Sequence, residues 1–71
     1  MRRTTREIAS ALAVEEEAAR GLVKFLLACN PPQALFRGER RPANGGRGQF
    51  VYEIVPGAGA LAQRMITRLE Q

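Results

Sequence analysis

The chain contains no histidine, no aspartate and no tryptophan, and it has a single cysteine, Cys29, and a single serine, Ser10. Without His or Asp, and with one Ser, the recurrent nucleophile–base and acid–base constellations cannot be assembled, so the sequence points away from an enzyme. The same gaps remove a metal centre built from His and Cys, and nothing marks a cofactor or small-molecule site. One cysteine forms no internal disulfide, which removes the usual staple of small secreted domains and favours a reducing, cytoplasmic setting. Cys29 is expected as a buried small apolar residue. No stretch reaches the roughly 18 consecutive apolar residues of a membrane span. The basic start is followed by Glu7 rather than by an apolar signal segment. No membrane partner is expected.

What is present is basic. The 71 residues carry 11 Lys plus Arg against 7 Glu, for a formal net charge of +4. That length makes one domain, 1–71, near the lower size limit for a self-sufficient core. The positive excess sits in two segments. Arg2, Arg3 and Arg6 open the chain, Arg37, Arg40, Arg41 and Arg47 stand against Glu39 in a glycine-containing stretch, and the remainder is net acidic. A terminus and a Gly-rich segment are both free to reach toward a polyanion. The plainer role of such clusters is solubility.

Thr4-Thr5-Arg6-Glu7 fits a capping box, so a helix is expected to start here and to continue through Ile8, Ala9 and Leu12 on one apolar stripe. Ala13-Val14 interrupts it. Glu15-Glu16-Glu17 then suits the positive end of a second helix, which carries Ala19, Leu22, Val23, Leu26 and Leu27 at spacings of three and four up to about Cys29. Asn30-Pro31-Pro32 ends that helix. From Ala34 the period changes to that of strands. Ala34 to Arg37 and Gln49 to Val55 read as a two-stranded hairpin, with Phe50, Tyr52 and Ile54 on one face. The Gly38–Gly48 segment between them is a long exposed loop. Pro56-Gly57 closes the second strand, and residues 58–70 place Ala58, Leu61, Ala62, Met65, Ile66 and Leu69 on the face of a last helix. The fold class is therefore α+β.

In that order, residues 4–55 resemble the winged helix-turn-helix of bacterial and archaeal transcription regulators. Thr4 to Leu12 is similar to the first helix of that unit, with small Ala9 directly after Ile8. Ala13-Val14 stands where the family usually has glycine and an aliphatic residue, and Ala19, Val23 and Leu26 occupy its buried positions on the second helix. Residues 4–29 would be the helix-turn-helix, 34–55 the hairpin wing and 58–70 a C-terminal helix. The resemblance implies binding of double-stranded DNA, with the second helix in the major groove and the wing on the backbone or in the minor groove. On the second helix the outward positions are Glu16, Glu17, Ala18, Arg20, Gly21 and Lys24, with Arg20 and Lys24 on one strip. Arg20 has the geometry to read guanine, and its alternative partner is Glu16 one turn earlier. Gly21 either admits close approach of another backbone or is a tolerated weakness. Arg37, Arg40, Arg41 and Arg47 would form one basic arm on the wing, and Arg2, Arg3 and Arg6 a second at the N-terminus.

The chain departs from the family in two places. Glu15 to Glu17 replaces the usual Ser or Thr cap and puts negative charge where a helix normally meets DNA. The helix that normally precedes the unit is missing, so the C-terminal helix is expected to fill its place in the core, or to be exchanged between chains in a homodimer. The leading expectation is a dimeric transcriptional regulator that occupies duplex DNA. A winged-helix protein–protein interaction module without DNA contact is the alternative, favoured by the acidic run. RNA binding with Phe36, Phe50 and Tyr52 as stacking platforms is a third, weakened by their alternation on strands as core residues.

Overall fold

The Thr4–Glu7 spacing acts as a reciprocal cap. In the computed structural model, which describes residues 1–71, the Glu7 N–H donates to the Thr4 hydroxyl at 3.2 Å and the Thr4 N–H donates to Glu7 Oε1 at 2.8 Å. Two of the orphan donors at the start of helix α1 (Thr5–Leu12) are thereby satisfied. The helix stops at Ala13, which takes the left-handed conformation at φ 57° and ψ 45°. Helix α2 (Glu16–Ala28) follows. Glu15 precedes it without a side-chain cap, so the stabilisation of that end falls to the acidic charge of its first turn.

The expected two-stranded hairpin is a three-stranded antiparallel sheet. Its strands are β1 (Arg2–Thr4), β2 (Ala34–Arg40) and β3 (Gln49–Ile54), in the order β1-β3-β2. Arg2 and Arg3 are therefore not on a free arm. They pair with Glu53 and Tyr52 across the edge of β3, and Met1 extends the ladder, its carbonyl accepting from the Ile54 N–H at 2.9 Å. Pairing there satisfies backbone groups that would otherwise leave β3 as an open edge.

Strand β2 also runs further than expected, to Arg40, which shortens the loop to residues 41–48. Phe36 faces Tyr52 and Glu39 faces Phe50, so Arg37 and Gly38 together oppose the single residue Val51. This is a β-bulge, and Gly38 at φ 95° supplies the backbone conformation that it needs.

Helix α3 (Ala60–Leu69) completes the molecule. Its N-terminus is tied down by Gln33, whose Oε1 accepts from the Ala62 N–H at 3.2 Å. The Gln33 backbone also donates to the Leu26 carbonyl at 3.0 Å and accepts from the Val55 N–H at 2.9 Å. One residue thus joins the end of α2, the end of β3 and the start of α3.

The core draws on every helix and on one end of the hairpin. Ile8 and Ala9 of α1, Ala19, Val23 and Leu26 of α2, and Ala62, Met65 and Ile66 of α3 close around Ala34 and Ile54. The C-terminal helix therefore lends its apolar face to the core of its own chain, and full burial of Met65 and Ile66 is worth about 1.5–3 kcal/mol each. Cys29 is only half-buried, contrary to expectation, and its thiol donates to the Phe25 carbonyl at 3.3 Å. No helix is long and apolar enough to cross a membrane.

The aromatic residues of the hairpin are less buried than their alternation implies. Phe50, Tyr52 and Ile54 share a face by alternation, but only the Ile54 end lies in the core. Phe36 and Phe50 are 55% and 56% exposed, because the sheet runs out beyond the helices that cover Ala34 and Ile54.

Candidate functional site

Three segments far apart in sequence converge on an open cleft of about 970 Å³. Its walls are the start of α1 (Thr5, Arg6), the first turns of α2 (Glu16, Arg20) and the far end of the hairpin, from Glu39 to Pro42 and from Arg47 to Phe50. Five arginines line it, Arg6, Arg20, Arg40, Arg41 and Arg47, against the two carboxylates Glu16 and Glu39. The capping box fixes where α1 begins and so where Arg6 stands. The bulge at Arg37-Gly38 resets the register that brings Glu39 opposite Phe50 and carries Arg40 and Arg41 toward the helices.

Each wall holds its cations loosely. Arg40 Nη1 lies 3.3 Å from Glu7 Oε1, and Arg41 Nη2 lies 3.2 Å from Glu39 Oε2. Glu16 sits between two guanidinium groups, at 4.0 Å from Arg6 and 3.8 Å from Arg20. Exposed pairs of this kind contribute about 0.2–1 kcal/mol, so an arriving anion displaces them at small cost. Arg47 has no carboxylate within salt-bridge distance.

Glu7 is held below the usual carboxylate range by the Thr4 backbone N–H, against an opposing effect of burial, with further lowering from the Thr4 hydroxyl and the charges of Arg40 and Arg3. It stays ionised beside Arg40. Glu53 is lowered as well, chiefly by the hydrogen bond from Arg37 at 2.9 Å.

The remaining candidate residues fall elsewhere. Arg37 and Arg2 both meet Glu53, at 2.9 Å and 3.8 Å, and neither lines the cleft. Arg3 donates to the Arg2 carbonyl at 2.7 Å on strand β1 and is also outside it. Glu17, Ala18, Gly21 and Lys24 are exposed on α2, with Lys24 one turn beyond Arg20, whereas Glu16 is half-buried rather than outward. A Cβ placed on Gly21 would meet nothing within 4 Å, so no packing inside the chain calls for glycine there.

Thr5, Pro42, Gly48, Gln49 and Phe50 line the cleft without having been singled out for DNA contact by charge. Gly48 is the tightest of them, since a Cβ there would collide with the Glu39 carboxylate. No group of three His, Cys, Asp or Glu side chains is placed to hold a metal ion. Comparison of the chain with protein-family models, curated proteins and solved structures finds no match.

Proposed function

We propose that the chain is a winged helix-turn-helix protein that binds double-stranded DNA and acts as a transcriptional regulator. The observation that carries this is the convergence of Arg6, Arg20, Arg40, Arg41 and Arg47 on one cleft between the start of α2 and the loop of the hairpin. A helix pair followed by an antiparallel hairpin with a basic loop is the arrangement that the sequence resemblance implies. In this reading the exposed strip of Arg20 and Lys24 faces the major groove, and the hairpin loop rests on phosphates. The flanking arginines do the holding, and Glu16 gives up its weak pairs with Arg6 and Arg20 to the phosphates. A homodimer belongs to the proposal as an exchange of α3 between chains. The outer face of that helix in one chain, Gln63, Arg64, Thr67 and Arg68, is exposed and polar and offers no apolar seam.

Titration against random-sequence duplex DNA at 50 and 200 mM salt tests the reading. Five phosphate contacts give a slope of log affinity against log salt of about −4.5, or roughly a 500-fold loss across that range. Changing Arg40 and Arg41 together to Ala reduces the slope to about −2.7. Salt-independent binding, or none at 50 mM, overturns the DNA reading in favour of a protein-interaction module.

A further inference from the structure

The rim of the basic cleft carries aromatic surface that the core does not use. Phe50 is one of the cleft's lining residues, and its ring meets that of Phe36 at 5.7 Å and an interplanar angle of 79°. Phe36 in turn meets Tyr52 at 5.8 Å and 65°. These edge-on contacts brace the three rings against one another across β2 and β3. They do not cover the two phenylalanines, of which more than half remains open to solvent. Isolated exposed apolar residues need no explanation, but adjacent half-open rings at the edge of a cationic groove form a patch. Arg47, with no carboxylate partner, stands three residues before Phe50 on the same cleft wall.

We infer that Phe50, supported by Phe36, is a stacking site for an unpaired base of a DNA strand whose phosphates lie in the arginine cleft. Cations that follow the backbone, beside aromatic faces that take the bases, are the two elements by which single strands are held, and both occur here on one wall. The near-perpendicular contact with Phe36 restricts the Phe50 ring and so fixes the plane on which the base rests. The stacking site selects DNA in which a duplex gives way to a single strand. It rests on the reading of the cleft as a nucleic-acid site and adds a preference that duplex binding alone does not require.

The test uses the full chain and duplex DNA ending in a three-nucleotide adenine overhang, compared with the same duplex ending in three abasic sugar-phosphates. The two offer equal charge, and only one offers bases. The wild-type protein binds the adenine overhang about tenfold more tightly. Phe50→Leu keeps apolar bulk beside Phe36 but has no aromatic face, and it removes the difference. Phe50→Trp preserves the preference and introduces the only tryptophan of the chain. Its fluorescence is quenched by the adenine overhang and not by the abasic one. Equal wild-type affinity for the two overhangs overturns the inference, as does a Phe50→Leu variant that retains the preference. A single-stranded adenine oligonucleotide set against its abasic counterpart makes the same comparison without any duplex. Loss of base preference with duplex binding intact therefore refutes the stacking site alone, and base preference without salt-dependent duplex binding refutes the proposed function alone.

Discussion

Changing Gly21 to alanine separates two reasons for which a helix interior might carry glycine. Gly21 is the sixth residue of α2 (Glu16–Ala28), is exposed, and would place a Cβ where no atom lies within 4 Å. Nothing in the chain opposes the substitution, so its effect reduces to helix propensity. Alanine gains about 0.8–1.0 kcal/mol over glycine there, because less backbone freedom is lost on folding. For a domain of this size that raises Tm by roughly 4–8 °C. Thermal unfolding followed by far-ultraviolet circular dichroism measures it, and an unchanged or lowered Tm refutes the reasoning. The same variant in the duplex titration reports on function. If α2 lies in a groove of DNA, the added methyl stands between helix and duplex on the strip beside Arg20 and Lys24. The expected pair of results is a higher Tm with weaker binding. A higher Tm with unchanged binding removes Gly21 from the interface.

Ala13→Gly stabilises the protein by about 0.5–1 kcal/mol in urea unfolding, since Ala13 at φ 57° occupies a region that is unfavourable for a residue with a Cβ. Met65→Ala, at a side chain only 1% exposed, costs about 3 kcal/mol, and a smaller loss in Tm than that implies would deny α3 its place in the core. Glu7 has a lowered folded-state pKa, so its contribution is complete above its unfolded value of about 4.3 and is lost as pH falls through the folded one. Wild-type Tm should therefore drop on acidification below about pH 4.3, and Glu7→Gln should be less stable at neutral pH with a shallower acid decline. Glu16→Gln frees Arg6 and Arg20 from two weak pairs worth about 1 kcal/mol together, and raises duplex affinity at 50 mM salt by about fivefold.

The helices were legible because an end signal or a period marks each of them. Thr4 and Glu7 mark the start of α1, Pro31-Pro32 the limit of α2, and the spacing of Leu61, Ala62, Met65, Ile66 and Leu69 the inner face of α3. Strand β1 has no such writing. Arg2-Arg3-Thr4 is too short to show alternation, and what holds it is backbone pairing to β3, which depends hardly at all on side-chain type. The aromatics show a different limit. Alternation correctly puts Phe50, Tyr52 and Ile54 on one face, but it says nothing about how far along that face the helices reach, and burial fades from Ile54 to Phe50. The same holds for the arginines. Their clustering in sequence was plain, yet Arg37 is only three residues from Arg40 and turns to Glu53, while Arg40 turns to the cleft. Between them lies the bulge that sets Glu39 opposite Phe50 and Arg40 opposite Gln49, and its only sequence signal is Gly38 inside a strand.

That separation alters what the acidic residues mean. Read as a linear pattern, Glu15 to Glu17 looks like a barrier against DNA at the end of α2. In three dimensions only Glu16 of the run reaches the cleft, and it stands between Arg6 and Arg20 rather than in front of them. Glu39 relates to Arg41 in the same way on the opposite wall. Five like charges around one cleft repel one another in the free protein, and a chain near the lower size limit for a stable core has little free energy with which to oppose that. Interposed carboxylates reduce the repulsion without locking the cations, since two of the four pairs that hold them lie at 3.8 Å and 4.0 Å. In the proposed DNA complex a phosphate takes over the same neutralising part. In the proposed complex the cost of releasing each pair is subtracted from affinity, so binding is weaker than the arginine count alone suggests.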